Sequence, residues 1–360
     1  MSIDVLFVIN GLGLGNSTRC HAVIQRLRAN GVKIAIVTSN NGLWYFKDRD
    51  LVENIHEISP LYYQKSGEDI SIFRTLLSIP DFIRIWRSNA QKLNDLLDEY
   101  KPKAVVVDSE YTFMPIKSRK IPLIALNNAD VVVASMAKFK NAPKSVLPQF
   151  YAVEKPDSLF HRSIPNWVLS PSLDPTIKAS YSNIHRIGPI VRDNYKPIPF
   201  REGIGRVVVM LSGSQFRSPV AFSKRHPFKI DVIGRDKPDD VEEMNGVVYH
   251  GRLKDNRRIL EEADLVVVNG GFSAVSEAFS MKLPMVVLPI PNHAEQWVNA
   301  RTIQELGVGL MATVENLENA VNEATKRIDE FRNGYEKLDG IPDGAAQSSD
   351  FILKVIGWNA

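Results

Sequence analysis

The stretch Leu265-Val266-Val267-Val268-Asn269-Gly270-Gly271-Phe272-Ser273-Ala274-Val275-Ser276-Glu277 decides the fold. An apolar, β-branched run from Leu265 to Val268 predicts a buried strand. It ends at paired glycines, and Ser273 to Met281 then follows helical spacing. A strand, a glycine turn and a helix N-terminus together make an anion site, because unpaired N–H groups and the positive end of the helix dipole point at the same place. Gly270, Gly271, Phe272 and Ser273 supply that site, and Glu277, one turn into the helix, is placed to accept hydrogen bonds from a pair of ribose hydroxyls. Taken alone, Asn269-Gly270-Gly271 is equally a tight turn in an α/β sheet.

The sequel carries more. Lys282-Leu283-Pro284 leads into an apolar strand Met285–Leu288, then Pro289, His293, Glu295-Gln296, Asn299-Ala300 and Gly307-Val308-Gly309. This ordered series resembles the donor-binding half of nucleotide-sugar glycosyltransferases with the GT-B fold. It is most similar to the branch that contains the cell-wall N-acetylglucosaminyl transferase. The resemblance is strong over residues 247–310 and patchier elsewhere. It implies two Rossmann-like, doubly wound parallel-sheet α/β domains facing a cleft, with the sugar donor in the second.

The N-terminal half opens as a βαβ unit. Val5–Ile9 is a buried strand, and Asn10-Gly11-Leu12-Gly13-Leu14-Gly15-Asn16 is the loop that ends it. The dinucleotide fingerprint fails here: its third glycine would fall on Asn16, and Ser39-Asn40-Asn41 stands where the second strand should end in an acid. No Gly-Lys-Ser/Thr follows either, which argues against both NAD and ATP. The loop does resemble the first loop of the same transferases, in which glycines (Gly13 and Gly15 here) precede a histidine, two small residues and an arginine. Asn16 occupies the histidine's place, and an amide cannot take a proton at neutral pH. Ala104–Val107 is a further strand, running into Asp108-Ser109-Glu110. Carboxylates at the end of a parallel strand project into the ligand crevice. Asp108 or Glu110 is the expected substitute base, although an aspartate there can equally cap the next helix.

Other segments are assigned by position. Arg206–Leu211 is a strand whose following loop, Ser212, Gly213 and Ser214, offers hydroxyls and N–H groups to a diphosphate or sugar. The resemblance implies that Arg252 and Leu253 hold the nucleotide base, and that Glu295 and Gln296 bind sugar hydroxyls. His293 is a sugar ligand, a second candidate base, or an exposed loop residue without a role. Residues 1–193 form the acceptor-side domain, 194–205 a linker, 206–344 the donor domain, and 345–360 a helix returning to the first domain.

Ile70 to Leu97 is expected to be helical with a break near Pro80. Its mixture of Phe73, Phe82 and Trp86 with Arg74, Arg84 and Arg87 suits either peripheral contact with an anionic membrane or an amphipathic cover for the first sheet. Ala134 to Ser163 lacks clean periodicity and reads as an acceptor loop or a surface excursion.

With 360 residues, 44% hydrophobic and 24% charged, the chain suits two globular domains. A net charge of +3 argues against nucleic acid as partner. The single cysteine, Cys20, excludes an internal disulfide and fits a reducing cytoplasm. No convincing metal-binding Asp-x-Asp or His/Cys cluster stands out, and a metal-free reaction without a bound cofactor is expected. The expected activity is inverting transfer of a sugar from a nucleotide diphosphate, UDP first among them, to a lipid-linked or small-molecule acceptor. The alternatives are a nucleotide-sugar-binding protein without turnover and a UDP-sugar epimerase or hydrolase on the same fold.

Overall fold

The computed structural model describes residues 2–47, 49–60, 65–66, 69–70, 79–211, 226–237, 246–251, 253 and 255–358. Two parallel sheets organise the chain. The first has seven strands in the order β3-β2-β1-β6-β7-β8-β9. They are β1 (Val5–Ile9), β2 (Ile34–Thr38), β3 (Asn54–Glu57), β6 (Ala104–Asp108), β7 (Leu123–Leu126), β8 (Trp167–Pro171) and β9 (Ile184–Ile187). The short strands β4 (Lys65–Ser66) and β5 (Asp69–Ile70) pair with each other outside it. The second sheet has six strands in the order β12-β11-β10-β13-β14-β15. These are β10 (Arg206–Met210), β11 (Lys229–Ile233), β12 (Val247–Tyr249), β13 (Leu265–Asn269), β14 (Met285–Leu288) and β15 (Gly309–Met311).

Both sheets bury both faces, which explains the continuous apolar runs. Along β1, Val5, Phe7 and Ile9 pack in one core cluster while Leu6 and Val8 pack in the cluster on the other face. The same alternation places Val208, Met210, Val266 and Val268 on one side of the second sheet and Val207, Val209 and Val267 on the other. This is the period-two geometry of a strand with helices above and below.

In each sheet the strand order reverses once, between β1 and β6 and between β10 and β13. Chain connections leave such a pair of strands in opposite directions, so a crevice opens beyond their C-terminal ends. The loops at 10–16 and 108–110 therefore share one crevice, and residue 211 and Asn269-Gly271 share the other.

Several segments differ from the sequence expectation. The expected helical stretch between Ile70 and Ile79 lies outside the described residues, and the helix Ile79–Tyr100 buries Leu93, Leu96, Leu97 and Tyr100 against the sheet. Its Arg84 and Arg87 face solvent. Phe73 and Arg74 lie outside the described residues. The supposedly irregular stretch 134–163 is mostly helical: Lys144–Val146 is a 3₁₀ turn, Phe150–Glu154 a π turn and Lys155–Ser163 an α-helix. Prolines at 143, 148 and 156 break the apolar spacing there, which hid these turns from periodicity.

The final helix runs Gly344–Val355, and Asp343 caps it by accepting from Ala346 N–H at 2.9 Å. Ala345, Ile352 and Ile356 join the core of the first sheet, and Trp358 Nε1 donates to Asn30 O. The C-terminus thus packs on the N-terminal half. Within residues 194–205, Tyr195 is buried and Ile198 N–H bonds to Met281 O. No described helix is long and apolar enough to cross a membrane. Asp343→Ala removes the cap, and urea denaturation should show a loss of about 1 kcal/mol; its half-exposed pair with Arg26 adds little.

Candidate active site

The crevices of the two sheets face each other, and two helix N-termini meet between them. Gly13 is the N-cap of the helix Leu14–Ala29 and Gly271 that of the helix Phe272–Ser280, and neither helix has a side-chain cap. Their first turns touch where Ser273 Oγ donates to Gly15 O at 3.1 Å. A Cβ at Gly13 or at Gly271 would meet no heavy atom of the described residues within 4 Å. Each terminus carries about half a positive charge and first-turn N–H groups that no side chain satisfies. An anion between them is drawn by both.

Gly270 has a different task. A Cβ there would lie 2.6 Å from Gln296 O, and its own carbonyl accepts from Asn299 Nδ2 at 2.9 Å. The missing side chain lets the helix Ala294–Glu305 press against the turn. Phe272 contributes its backbone to the helix start, while its ring is core. Ser276 Oγ is buried without a hydrogen-bond partner among the described residues.

Asp108 is completely buried, and its carboxylate is gripped in the bidentate manner by Arg19, with Nε to Oδ2 at 2.8 Å and Nη2 to Oδ1 at 2.6 Å. Cys20 Sγ lies 3.3 Å from Oδ2, and burial pushes that thiol well above its ordinary range. Asp108 therefore anchors the helix behind Gly13 instead of serving as the free base expected from sequence. Asn16 Nδ2 lies 3.4 Å from Asn10 O and its Oδ1 3.5 Å from Arg19. Glu110 is buried, with Oε1 accepting from Tyr111 N–H and Thr112 Oγ1, and burial raises its carboxyl above the usual range.

Glu277 is also buried, which raises its carboxyl, and Arg192 opposes this with Nη2 3.2 Å from Oε1. Arg192 bonds to Tyr195, whose hydroxyl donates to Asn256 Oδ1 at 2.7 Å. A ribose diol at Glu277 would share the carboxylate with Arg192, a partner that sequence reading missed because it lies 85 residues away. Close by, burial and the charges of Arg49 and Arg192 push His21 down to about 3, so this ring, bonded to Tyr45, stays neutral.

The loop at 289–296 closes the other side. Gln296 Oε1 accepts from Ile290 N–H at 3.0 Å, holding the loop's fold, while Glu295 accepts from Asn128 of the first half at 2.9 Å. Ala294 N–H bonds to Gln149 Oε1, and Phe139, Val146 and Phe150 pack on Trp297 and Val298. Glu154, unmarked in the sequence, lies with His293 and Glu295 in one cluster, ligand atoms within 4.8 Å of one another. Burial, reinforced by Glu295, pushes the Glu154 carboxyl up to about 8, and burial lowers His293. Leu253 packs against the second-half core. Ser212, Gly213, Ser214 and Arg252 lie outside the described residues.

Residues 3–328 match glycosyl transferase family 1, and the chain belongs to that family. An uncharacterized glycosyltransferase of Methanosarcina acetivorans is 25% identical over 99% of this chain and 100% of its own length. The UDP-N-acetylglucosamine–N-acetylmuramyl-(pentapeptide) pyrophosphoryl-undecaprenol N-acetylglucosamine transferase of Oceanobacillus iheyensis is 22% identical over 88% of this chain and 88% of its own. Among solved structures, the glycosyltransferase SnogD of Streptomyces nogalater superposes with a TM-score of 0.61 at 16% identity, covering 99% of this chain and 100% of that one. The fold is GT-B and the protein is a glycosyltransferase.

Removing one partner from a buried ion pair strands the other charge, at a cost of about 3–5 kcal/mol. Asp108→Asn should therefore lower unfolding free energy by roughly 3 kcal/mol in urea. A loss below about 1 kcal/mol would show that Arg19 finds solvent or another partner.

Proposed function

We propose that this glycosyl transferase family 1 enzyme moves a sugar from a nucleoside diphosphate, UDP by preference, with inversion at the anomeric carbon. The observation that carries the reading is the pair of uncapped helix N-termini meeting at Gly15 and Ser273. The bond from the anomeric carbon to the diphosphate oxygen breaks as the acceptor oxygen attacks from the opposite face. Negative charge builds on the departing diphosphate, where N–H groups and helix dipoles are already aligned, so little reorganisation is needed. Glu277 with Arg192 is assigned to the ribose, and Glu295 with Gln296 to the sugar.

The acceptor hydroxyl must lose a proton. Asn16 cannot take it, and Asp108 is committed to Arg19, so we assign this step to Glu110. Its raised carboxyl is the right direction for a base working near neutral pH. A pyrophosphoryl-lipid acceptor is favoured by the printed activity of the Oceanobacillus relative. Asn16 specifically favours a second reading, a nucleotide-sugar-binding protein without turnover. UDP release on mixing UDP-sugars with a panel of lipid-linked and small-molecule hydroxyl acceptors separates the two, since the second reading predicts binding and no release.

Gly271→Asp provides the sharpest test of the anion site. Gly271 has φ −65° and ψ 131°, which aspartate adopts without strain, and a Cβ there would meet no heavy atom of the described residues within 4 Å. As an N-cap it should leave stability equal or raise it by a few tenths of a kcal/mol. Its carboxylate would nevertheless occupy the diphosphate's place. UDP affinity by calorimetry should fall tenfold or more; unchanged affinity would remove the assignment. Glu110→Gln should cut kcat by about 10²–10⁴ with UDP affinity retained, and full activity would move the base elsewhere.

A further inference from the structure

We infer that Asp157 is a positioning residue for the proton transfer: through the Tyr111 hydroxyl it holds the backbone that cradles the Glu110 carboxylate. The inference rests on the assignment of Glu110 as base and names what keeps that base in place. Asp157 lies on the helix Lys155–Ser163, and Tyr111 and Asn127 follow the C-terminal ends of the neighbouring strands β6 and β7. Tyr111 Oη donates to Asp157 Oδ1 at 2.9 Å, and Asn127 Nδ2 donates to Oδ2 at 2.9 Å. His161 Nδ1 lies 2.9 Å from Oδ1. One carboxylate thus ties three chain segments together at the C-terminal edge of the first sheet.

Two observations connect this tie to Glu110. The first is that Tyr111 is bonded at both ends. Its hydroxyl reaches Asp157, and its N–H donates to Glu110 Oε1 at 3.1 Å, beside Thr112 Oγ1 at 2.8 Å. The ring between them packs on Phe160 and His161, with centroids 5.4 and 5.8 Å away, so hydroxyl and backbone move as one body. The second is strain. Ser109 has φ 53°, in the left-handed region that serine rarely adopts. The turn that carries Glu110 is therefore not held by local preference. It is tied from outside, by Asn10 Nδ2 to Ser109 O at 3.0 Å on one side and by Tyr111 to Asp157 on the other.

The electrostatics agree with this role. Burial raises the Glu110 carboxyl, and what opposes burial is neutral: Thr112 Oγ1 and the N–H groups of Tyr111 and Thr112. Losing the Tyr111 N–H bond raises Glu110 further, because that bond favours the charged form. Burial alone would raise Asp157 too, but His161, Asn127 and Tyr111 together hold its carboxyl below the usual range, so it stays an acceptor while Glu110 titrates. Other charged groups on the neighbouring elements are engaged elsewhere. Asp108 is held by Arg19, and on the helix Ala129–Lys138 Asp130 pairs with Arg186 and Lys138 with Asp174. Lys155 and Arg162 lie over the rings of Tyr151 and Tyr181. Glu154, pushed up to about 8 by burial, is uncharged at neutral pH.

The test follows the ¹³Cδ shift of Glu110 with pH in full-length protein, without nucleotide or acceptor, for the parent, Tyr111→Phe and Asp157→Asn. Cooperative melting transitions establish that the variants are folded. Tyr111→Phe removes only the tie and leaves the Asp157 charge in place. Glu110 should titrate about half a unit to one unit higher in both variants, the size expected when a hydrogen bond to a carboxylate is weakened or lost. A direct charge effect has the opposite sign, since Asp157→Asn removes a negative charge and would lower Glu110. Leu159→Ala, exposed on the same helix, should leave the titration unmoved. A merely structural role for Asp157 would lower the melting temperature without moving Glu110. In turnover, the acid limb of the kcat/KM profile should move to higher pH by the same amount. An unmoved Glu110 in folded Tyr111→Phe, or a lowered one in Asp157→Asn, would overturn the role. Full activity of Glu110→Gln with the shift present would instead remove Glu110 as base, so the two readings fail on different measurements.

Discussion

The first turn of a helix has N–H groups with no partner inside the helix, and something must satisfy them. In this protein two helices begin without side-chain caps, at Gly13 and Gly271, and their first turns touch through Ser273 and Gly15. Everything else positions that meeting. Each parallel sheet reverses its strand order once and so opens a crevice at the C-terminal ends of its strands. The Arg19–Asp108 ion pair fixes the first helix against β6, and Gly270 lets the helix Ala294–Glu305 press on the second turn. The field so made is positive, preorganised and independent of any titrating group.

The halves are joined by contacts of different kinds. An apolar patch around Phe139, Phe150 and Trp297 supplies non-directional burial, while Asn128–Glu295 and Gln149–Ala294 set the register between the halves. Arg192 reaches from the connecting segment to Glu277. The C-terminal helix crosses back to the core of the first sheet. Glu277 and Glu295 of the second half are held by Arg192 and Asn128.

Much of this was legible in the sequence because parallel strands buried on both faces leave unbroken apolar runs such as Val5–Ile9 and Leu265–Val268. The glycine turn at 269–271 and the loop at 13–16 were equally readable, since strand, turn and helix start are adjacent in the chain. What escaped reading depended on distance. Asp108 looked like a free carboxylate until its partner 89 residues away was placed beside it, and Glu277 looked free until Arg192 was. Glu154 was invisible for a second reason: it sits in a π turn within a proline-broken segment, where helical periodicity gives no signal.

On the proposed function, main-chain amides at two facing helix starts hold the diphosphate. Backbone ¹H–¹⁵N shifts recorded while UDP is titrated into the protein measure this directly. The amides of Gly15, Asn16, Phe272 and Ser273 should move together with one saturation curve, and uridine alone should leave them nearly unmoved. If UDP binds while those four amides stay in place, or uridine shifts them as far as UDP does, the diphosphate is held elsewhere and the account is wrong.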